Sequence, residues 1–264
     1  MKCIPLGLVI ILFSLMSSPV YAEEIITLAS NGEAAPGWSE YSLEHGYVVH
    51  IVREAFQAAG IKVQMEWYPW KRAFKLAKKY EVESTCCWYP LEERKKDFYY
   101  SDPVIDETQV FFHLKSFAFD WNSVEDLYGI PIGADIGLDY DALEAANKDG
   151  KILLERVPSY EQNLKKLIAG RIKLYPAALI TAYDNLRDLF PPETVDLLTY
   201  HSKPLLQKQL HLLIPKKMDK KRAMRLLSLF NQGLQQLKTS GSYGEIMQAA
   251  AAGAYRKQAE KWTP

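Results

Sequence analysis

One arginine of this chain stands where an anion could be met. Residues Glu81 to Pro103 read EVESTCCWYPLEERKKDFYYSDP, a strand-like segment that turns into a charged run and then Ser-Asp-Pro. Arg94 sits inside the run, and its guanidinium offers a planar fork of donors that matches the two oxygens of a carboxylate. Glu92, Glu93, Lys95 and Lys96 surround it, so these residues taken alone equally describe a solvated charged face. Other chemistry is sparse. No Ser-His-Asp constellation, paired catalytic carboxylates or metal motif appears at readable spacing, and His45, His50, His113, His201 and His211 lack metal-ligand intervals. Cys86 and Cys87 are neighbours, and two cysteines are too few for a structural zinc site. A bond between adjacent cysteines needs a strained turn, so two buried free thiols are expected.

The elements that would hold Arg94 alternate between short apolar strands and helices. Ile25 to Ala29 reads as a strand. A loop over Ser30 to Gly46 follows, and Val48, Ile51, Val52, Ala55, Phe56 and Ala59 then recur at helical spacing up to Gly60. Lys62 to Glu66 is a second strand, Trp70, Ala73, Phe74 and Ala77 mark a helix face with Trp70 in the core, and Val82 to Cys87 is a third strand. This β-α-β-α-β order implies parallel strands with crossover helices, whose ligands bind beyond the carboxyl ends of the strands.

A second unit repeats the pattern. Gln109 to Leu114, Ile130 to Ala134, Arg171 to Tyr175 and Val195 to Tyr200 read as strands. Ser159 and Gln162 have the spacing of a capping box for a helix over Tyr160 to Ala169. Gln209 to Ile214 is apolar, and an amphipathic helix runs from about Asp219 to Lys238. The chain therefore reads as two α/β lobes, each an open, mostly parallel sheet flanked by helices. Residues 23–114 and 210–264 form one lobe and 115–209 the other, with crossings near His113 to Ser116 and Lys208 to His211.

Composition and the first residues set the compartment. Lys2, the apolar run Ile4 to Met16 and the small-x-small ending Val20-Tyr21-Ala22 describe a cleavable leader, cut after Ala22. Its apolar core of 13 residues falls short of the roughly 20 needed to span a bilayer, and no later segment is long and apolar enough. A periplasmic chain is expected. The composition is that of a globular protein, 48% hydrophobic and 12% aromatic. Loss of Lys2 leaves 31 basic against 32 acidic residues, without the basic excess of a nucleic-acid binder.

Three segments carry a resemblance: GYVVHIVREAFQAAG at Gly46 to Gly60, EERKKDFYYSDPV at Glu92 to Val104, and LKKLIAGRIKLYPAAL at Leu164 to Leu179. Together they resemble family 3 periplasmic solute-binding proteins, the receptors of polar amino-acid ABC importers, over nearly the whole chain past the leader. The resemblance implies a two-lobed periplasmic-binding-protein fold, type II-like, closing on a small-molecule ligand whose carboxylate Arg94 holds. It implies a monomer without catalysis or cofactor, with an ABC permease or a sensor as partner. Where the family often places Ser, Gly and Thr, this chain has Cys86-Cys87-Trp88-Tyr89-Pro90. Cys87 thus joins the site, and Trp88 or Tyr89 could stack on a ring, an aliphatic body or a cation; a core role for Trp88 is equally open. Trp38 and Tyr41 occupy the loop that lends an aromatic to the ligand, beside Glu33. Arg72 could supply a second anion contact or simply begin an exposed helix.

The second lobe departs from the family. Where many amino-acid binders carry acids for the ligand's ammonium, this chain has Lys173 and, near the second position, Ala177 or Ala178. A buried ammonium without a partner costs several kcal/mol, which argues against an α-amino acid held in the usual way. Asp139 and Tyr140 follow the Gly-rich loop from Gly133, where Asp139 could cap the following helix, or Asp135 or Asp139 could face a cationic ligand. A sensor domain with an altered ligand, and more remotely an enzyme on the same lobes, are the alternatives.

Overall fold

The computed structural model describes residues 24–31, 37–40, 42–136, 140 and 142–255. The expected leader, Glu33, Tyr41 and Asp139 lie outside the described residues. The first unit comprises β1 (Glu24–Ser30), α1 (Tyr47–Ala58), β2 (Ile61–Trp67), α2 (Trp70–Lys79), β3 (Ser84–Trp88) and the long β4 (Phe98–Leu114). The second comprises β5 (Ile132–Asp135), α3 (Ala142–Lys148), β6 (Leu154–Val157), α4 (Tyr160–Ile168), β7 (Tyr175–Ala178), α5 (Leu179–Leu189), α6 (Pro192–Val195) and β8 (Leu198–Tyr200). The chain returns through β9 (Leu206–Pro215) and ends in α7 (Lys220–Ser240) and α8 (Ser242–Ala251).

The main sheet runs in the order β2-β1-β3-β9-β4-β7, with β8 also paired to β4, and β5 pairs with β6 separately. Pairs β1–β2, β1–β3 and β5–β6 are parallel, as crossover helices require. The pairs made by β9 and β4 are antiparallel. The sheet is therefore mixed, because the returning strand β9 inserts between β3 and β4. Strand β4 pairs with β9 from Phe98 to Gln109, then passes on to β7 and β8 from Gln109 to Leu114.

Pro103 interrupts the β4–β9 ladder, since it has no N–H to give. The register shifts on both sides of it, and side chains fill the missing bonds: the Leu212 N–H donates to Ser101 Oγ at 3.0 Å, and His211 Nδ1 bonds the Ser101 carbonyl at 2.7 Å. From the far side α7 contributes Asn231 Oδ1, which accepts from the Asp102 N–H at 3.0 Å, and Lys238 Nζ, which donates to the Pro103 carbonyl at 2.9 Å.

The helix α1 forms where its apolar period predicts, burying Val48, Ile51, Val52, Ala55 and Phe56. Gly60 follows with φ 72°, a left-handed geometry that glycine adopts without cost. Helix α7 begins on an Asp219 cap whose carboxylate accepts from the Arg222 N–H. It lies across α1, with Phe56 and Phe230 rings 4.9 Å apart. The crossing is close because Gly233 has no side chain; a Cβ there would meet the Ala55 carbonyl. Replacing a helical glycine by alanine gains about 1 kcal/mol of propensity, whereas overpacking a tight core costs roughly 1–3 kcal/mol. Gly233→Ala should therefore be a net loss, read as a lower urea midpoint; an equal or higher midpoint would mean that the two helices can part freely.

Candidate functional site

Arg94 is held by a turn that satisfies its own backbone. The segment Arg94–Lys96 is a short 3-10 helix in which the Arg94 N–H donates to Leu91 O at 2.9 Å and the Asp97 N–H to Arg94 O at 3.0 Å. The end of β9 tethers this turn: the Lys216 N–H donates to Asp97 O at 2.8 Å, and its ammonium to Lys95 O at 2.6 Å. The guanidinium is thereby aimed over an aromatic floor. Its central carbon lies 5.0 Å from the Trp88 ring centre and 5.6 Å from that of Phe74. One nitrogen donates to the Tyr89 carbonyl at 3.1 Å.

Carboxylates lie close in sequence, yet none pairs with Arg94 among the described residues. Glu92 bonds Lys95 at 2.5 Å and Asp97 bonds Lys78 at 2.7 Å. Arg94 is half-buried, and among the described residues its five donors make one hydrogen bond, to the Tyr89 carbonyl. It borders a pocket of about 420 Å³ between α2, the end of β3 and this turn.

The pocket's floor is aromatic and its rim basic. Trp70 and Phe74 stand edge-on to Trp88 at 4.9 and 5.1 Å, and Trp38 closes on Trp70 at 5.2 Å. Helix α2 produces both features from one repeat. Ala73 and Ala77 face the sheet, Trp70 and Phe74 lie beside them, and Lys71, Lys75 and Lys78 line the mouth. Glu93 completes the exposed edge. Trp70 is thus half-buried and lines the pocket rather than the core. The spacing Trp70/Phe74 with Lys71/Lys75/Lys78 was the available signal for this role, obscured because ring positions at helical intervals normally mark packing.

The remaining expected site residues lie elsewhere. Tyr89 turns to the opposite face, where its hydroxyl donates to Glu107 at 2.5 Å and Lys208 Nζ lies 5.3 Å from its ring centre. Burial first, and the Glu107 charge second, push its phenol well above the ordinary value. Arg72 is exposed and stacks over Tyr68 at 4.7 Å, the helix-start alternative, outside the pocket. Cys87 is buried.

The cysteines correct the expectation of free thiols. Cys86 and Cys87 are bonded to each other; the peptide between them is cis and their Cα atoms are 3.0 Å apart. The pair occupies the place where β3 carries one residue more than β9, between Thr85↔Leu213 and Trp88↔His211. Ser30 Oγ donates to the Cys86 carbonyl at 2.9 Å, tying this bulge to β1.

Tyr140 is buried and belongs to a polar knot in the second unit. Its hydroxyl donates to Asp135 at 3.1 Å, the Tyr175 hydroxyl donates at 2.8 Å, and Asn163 Nδ2 donates at 2.9 Å. Asp135 is therefore spent inside the protein rather than on a ligand. Lys173 lies 5.9 Å from the Phe117 ring centre, and Ala178 ends β7 and is the N-cap of α5. Asp184 is buried and pairs with Arg187 at 3.4 Å. Among the described residues no cluster of three His, Cys, Asp or Glu side chains could hold a metal ion, and no helix is long and apolar enough to cross a membrane.

Comparison with known proteins accounts for the architecture. The family model for bacterial extracellular solute-binding proteins, family 3, matches residues 26–252, and the chain belongs to that family. It has the periplasmic-binding-protein-like α/β fold. Substrate-binding domain 2 of Lactococcus lactis GlnP, in an open conformation, is similar with a TM-score of 0.68 and 18% identity, covering 92% of this chain and 99% of that one. The probable amino-acid ABC transporter extracellular-binding protein ytmK of Bacillus subtilis gives 0.71 at 14% identity, covering 88% and 99%. A histidine kinase sensor domain with similarity to periplasmic binding proteins gives 0.61 at 18% identity, covering 86% and 96%. A sequence search of curated proteins finds no match.

The polar knot has a pH signature. Burial raises the Asp135 carboxyl above its ordinary value, while bonds from Tyr175, Asn163 and Tyr140 oppose the shift. With the folded value above the unfolded one, the native chain keeps the proton longer. The stability linked to this group is then complete below the unfolded pKa of about 3.9 and declines as pH rises through the folded value. The unfolding free energy of Asp135→Asn relative to the parent should accordingly climb as the pH rises from the unfolded pKa of about 3.9 towards neutrality. Urea titrations across that range check it; a relative free energy that falls with pH would show that the three donors outweigh burial.

Proposed function

We propose that this protein is an extracytoplasmic solute-binding protein that captures a small carboxylate-bearing solute through Arg94 and delivers it to an ABC importer. The observation that carries this reading is the guanidinium of Arg94, half-buried over Trp88 and Phe74 without a carboxylate partner among the described residues. A charged fork held in that setting loses solvent without gaining an ion pair, an arrangement that a ligand carboxylate completes. Membership of the family supports the solute-binding role, and the similar amino-acid transporter domains support the importer as partner.

In this reading the chain crosses on β4 and β9 between one lobe of residues 23–114 and 210–264 and another of 115–209. Ligand contacts favour the closed arrangement of the lobes. The leader, cut after Ala22, places the protein in the periplasm, where an oxidised Cys86–Cys87 pair persists. A second reading, that of a sensory receptor domain, draws on the similarity to a histidine kinase sensor domain. Both readings share the same capture step.

A ligand bound to the native state alone stabilises it by RT ln(1 + L/Kd), with L the free ligand concentration, and so raises the melting temperature. Screening carboxylates, amino acids and polyamines by thermal shift should return carboxylates. Removing one partner of a hydrogen-bonded charge pair costs about 2–5 kcal/mol, so Arg94→Ala should weaken the hit by roughly thirty-fold or more. Unchanged affinity in that variant, with its fold intact by circular dichroism, would remove Arg94 from the site.

A further inference from the structure

We infer that the solute is an aromatic carboxylate without an α-ammonium group. This rests on the reading of Arg94 as the carboxylate anchor and names the chemistry of the rest of the ligand. Two observations on the pocket carry it. Its floor is formed by the rings of Trp70, Phe74 and Trp88, the first two standing edge-on to Trp88 at 4.9 and 5.1 Å. A flat apolar body laid there meets ring faces and edges in the offset or T-shaped geometry that aromatic groups prefer, while its carboxylate reaches the guanidinium beside it.

The second observation is the charge of the rim. Lys71 and Lys75 line the mouth together with Arg94, and none of the three is ion-paired among the described residues. Lys78 and Asp97 neutralise each other at 2.7 Å, which leaves Glu93, at the exposed edge, as the acid against three cations. An ammonium on the carbon next to the carboxylate would sit among like charges. Among the described residues of the second unit, the acids that might receive it are engaged or replaced: Asp135 is bonded by Tyr140, Tyr175 and Asn163, Asp184 by Arg187, and Ala178 carries no charge. A second anionic group on the ligand, by contrast, would meet Lys71 or Lys75.

Calorimetry on the mature protein with 3-phenylpropanoate, benzoate, phthalate, L-phenylalanine and L-glutamine tests this. Binding should also alter the tryptophan emission, since Trp70 and Trp88 form the floor. We expect 3-phenylpropanoate to bind at least ten-fold more tightly than L-phenylalanine, which differs from it by the amino group alone. The doubly substituted Lys71→Gln, Lys75→Gln protein should narrow that ratio, a change that a purely structural role for the lysines would not produce. Equal or tighter binding of L-phenylalanine or L-glutamine, lost in Arg94→Ala, overturns the inference and leaves the carboxylate anchor standing. A ratio unmoved by the double substitution overturns it also. Failure of every carboxylate to bind removes the anchor together with the inference.

Discussion

The pairing of β4 with β9 is the constraint on which the other parts depend. Two strands separated by 91 residues of chain are joined from Phe98↔Pro215 to Gln109↔Leu206. On one side β9 passes its second edge to β3, and so to β1 and β2; on the other, β4 continues to β7 and β8. The turn that carries Arg94 leads directly into β4 and is tied by Lys216 to the end of β9. Position and orientation of the guanidinium are thus consequences of this ladder. The ladder tolerates Pro103 because Ser101, His211, Asn231 and Lys238 bond the backbone groups around it.

Polar groups in the two units are used in opposite ways. In the second unit a buried carboxylate, Asp135, is surrounded by three side-chain donors and closed off as an internal knot. In the first, a half-buried cation has one backbone acceptor and a ring floor, with the nearby Asp97 and Glu92 drawn away by Lys78 and Lys95. The lysines therefore have a second effect beyond their own charge. By occupying Asp97 and Glu92 they keep the guanidinium from the local ion pairs that its sequence neighbourhood would otherwise favour. Exposed pairs of this kind contribute little stability, typically below about 1 kcal/mol, but their influence on which donors stay available does not require them to be strong.

Much of the fold was legible because its helices are strongly periodic. The α1, α2, α4 and α7 segments appear within a residue or two of the expected bounds, and Asp219 and Ser159 cap as their residue types predict. The first half of β4 was not legible: Ser101, Asp102 and Pro103 break its alternation, and its partner β9 is distant in the chain. Strand β7 starts later than the apolar run Arg171 to Tyr175 implied. Pro176 lies opposite Phe111 of β4, and the bridge of this segment to β5 is made one turn of the pleat earlier, by Leu174 to Ile132, so the position without an N–H falls outside it. The disulfide was illegible for a different reason. Adjacent cysteines rarely bond, and the bulge that brings Cys86 and Cys87 together is defined by the register of β9 rather than by nearby residues.

The same distinction governs the candidate site. Arg94 was visible because a short motif surrounds it, whereas Tyr89 and Tyr140 drew attention by type and proved to be engaged by Glu107 and Asp135. Alternation along the strand explains Tyr89: Trp88 faces α2 and the pocket, so its immediate neighbour must face the other side. Trp70 was read as core for a sound reason, since it shares a helix face with Ala73 and Ala77. What separates it from them is size. The small alanines fit against the sheet, while the indole extends past the end of β3 to meet Trp88 and Trp38. A ring too large for the core position it borders becomes the wall of a pocket, and the lysines one residue further along the helix then decide, by their charge, which solutes that wall can serve.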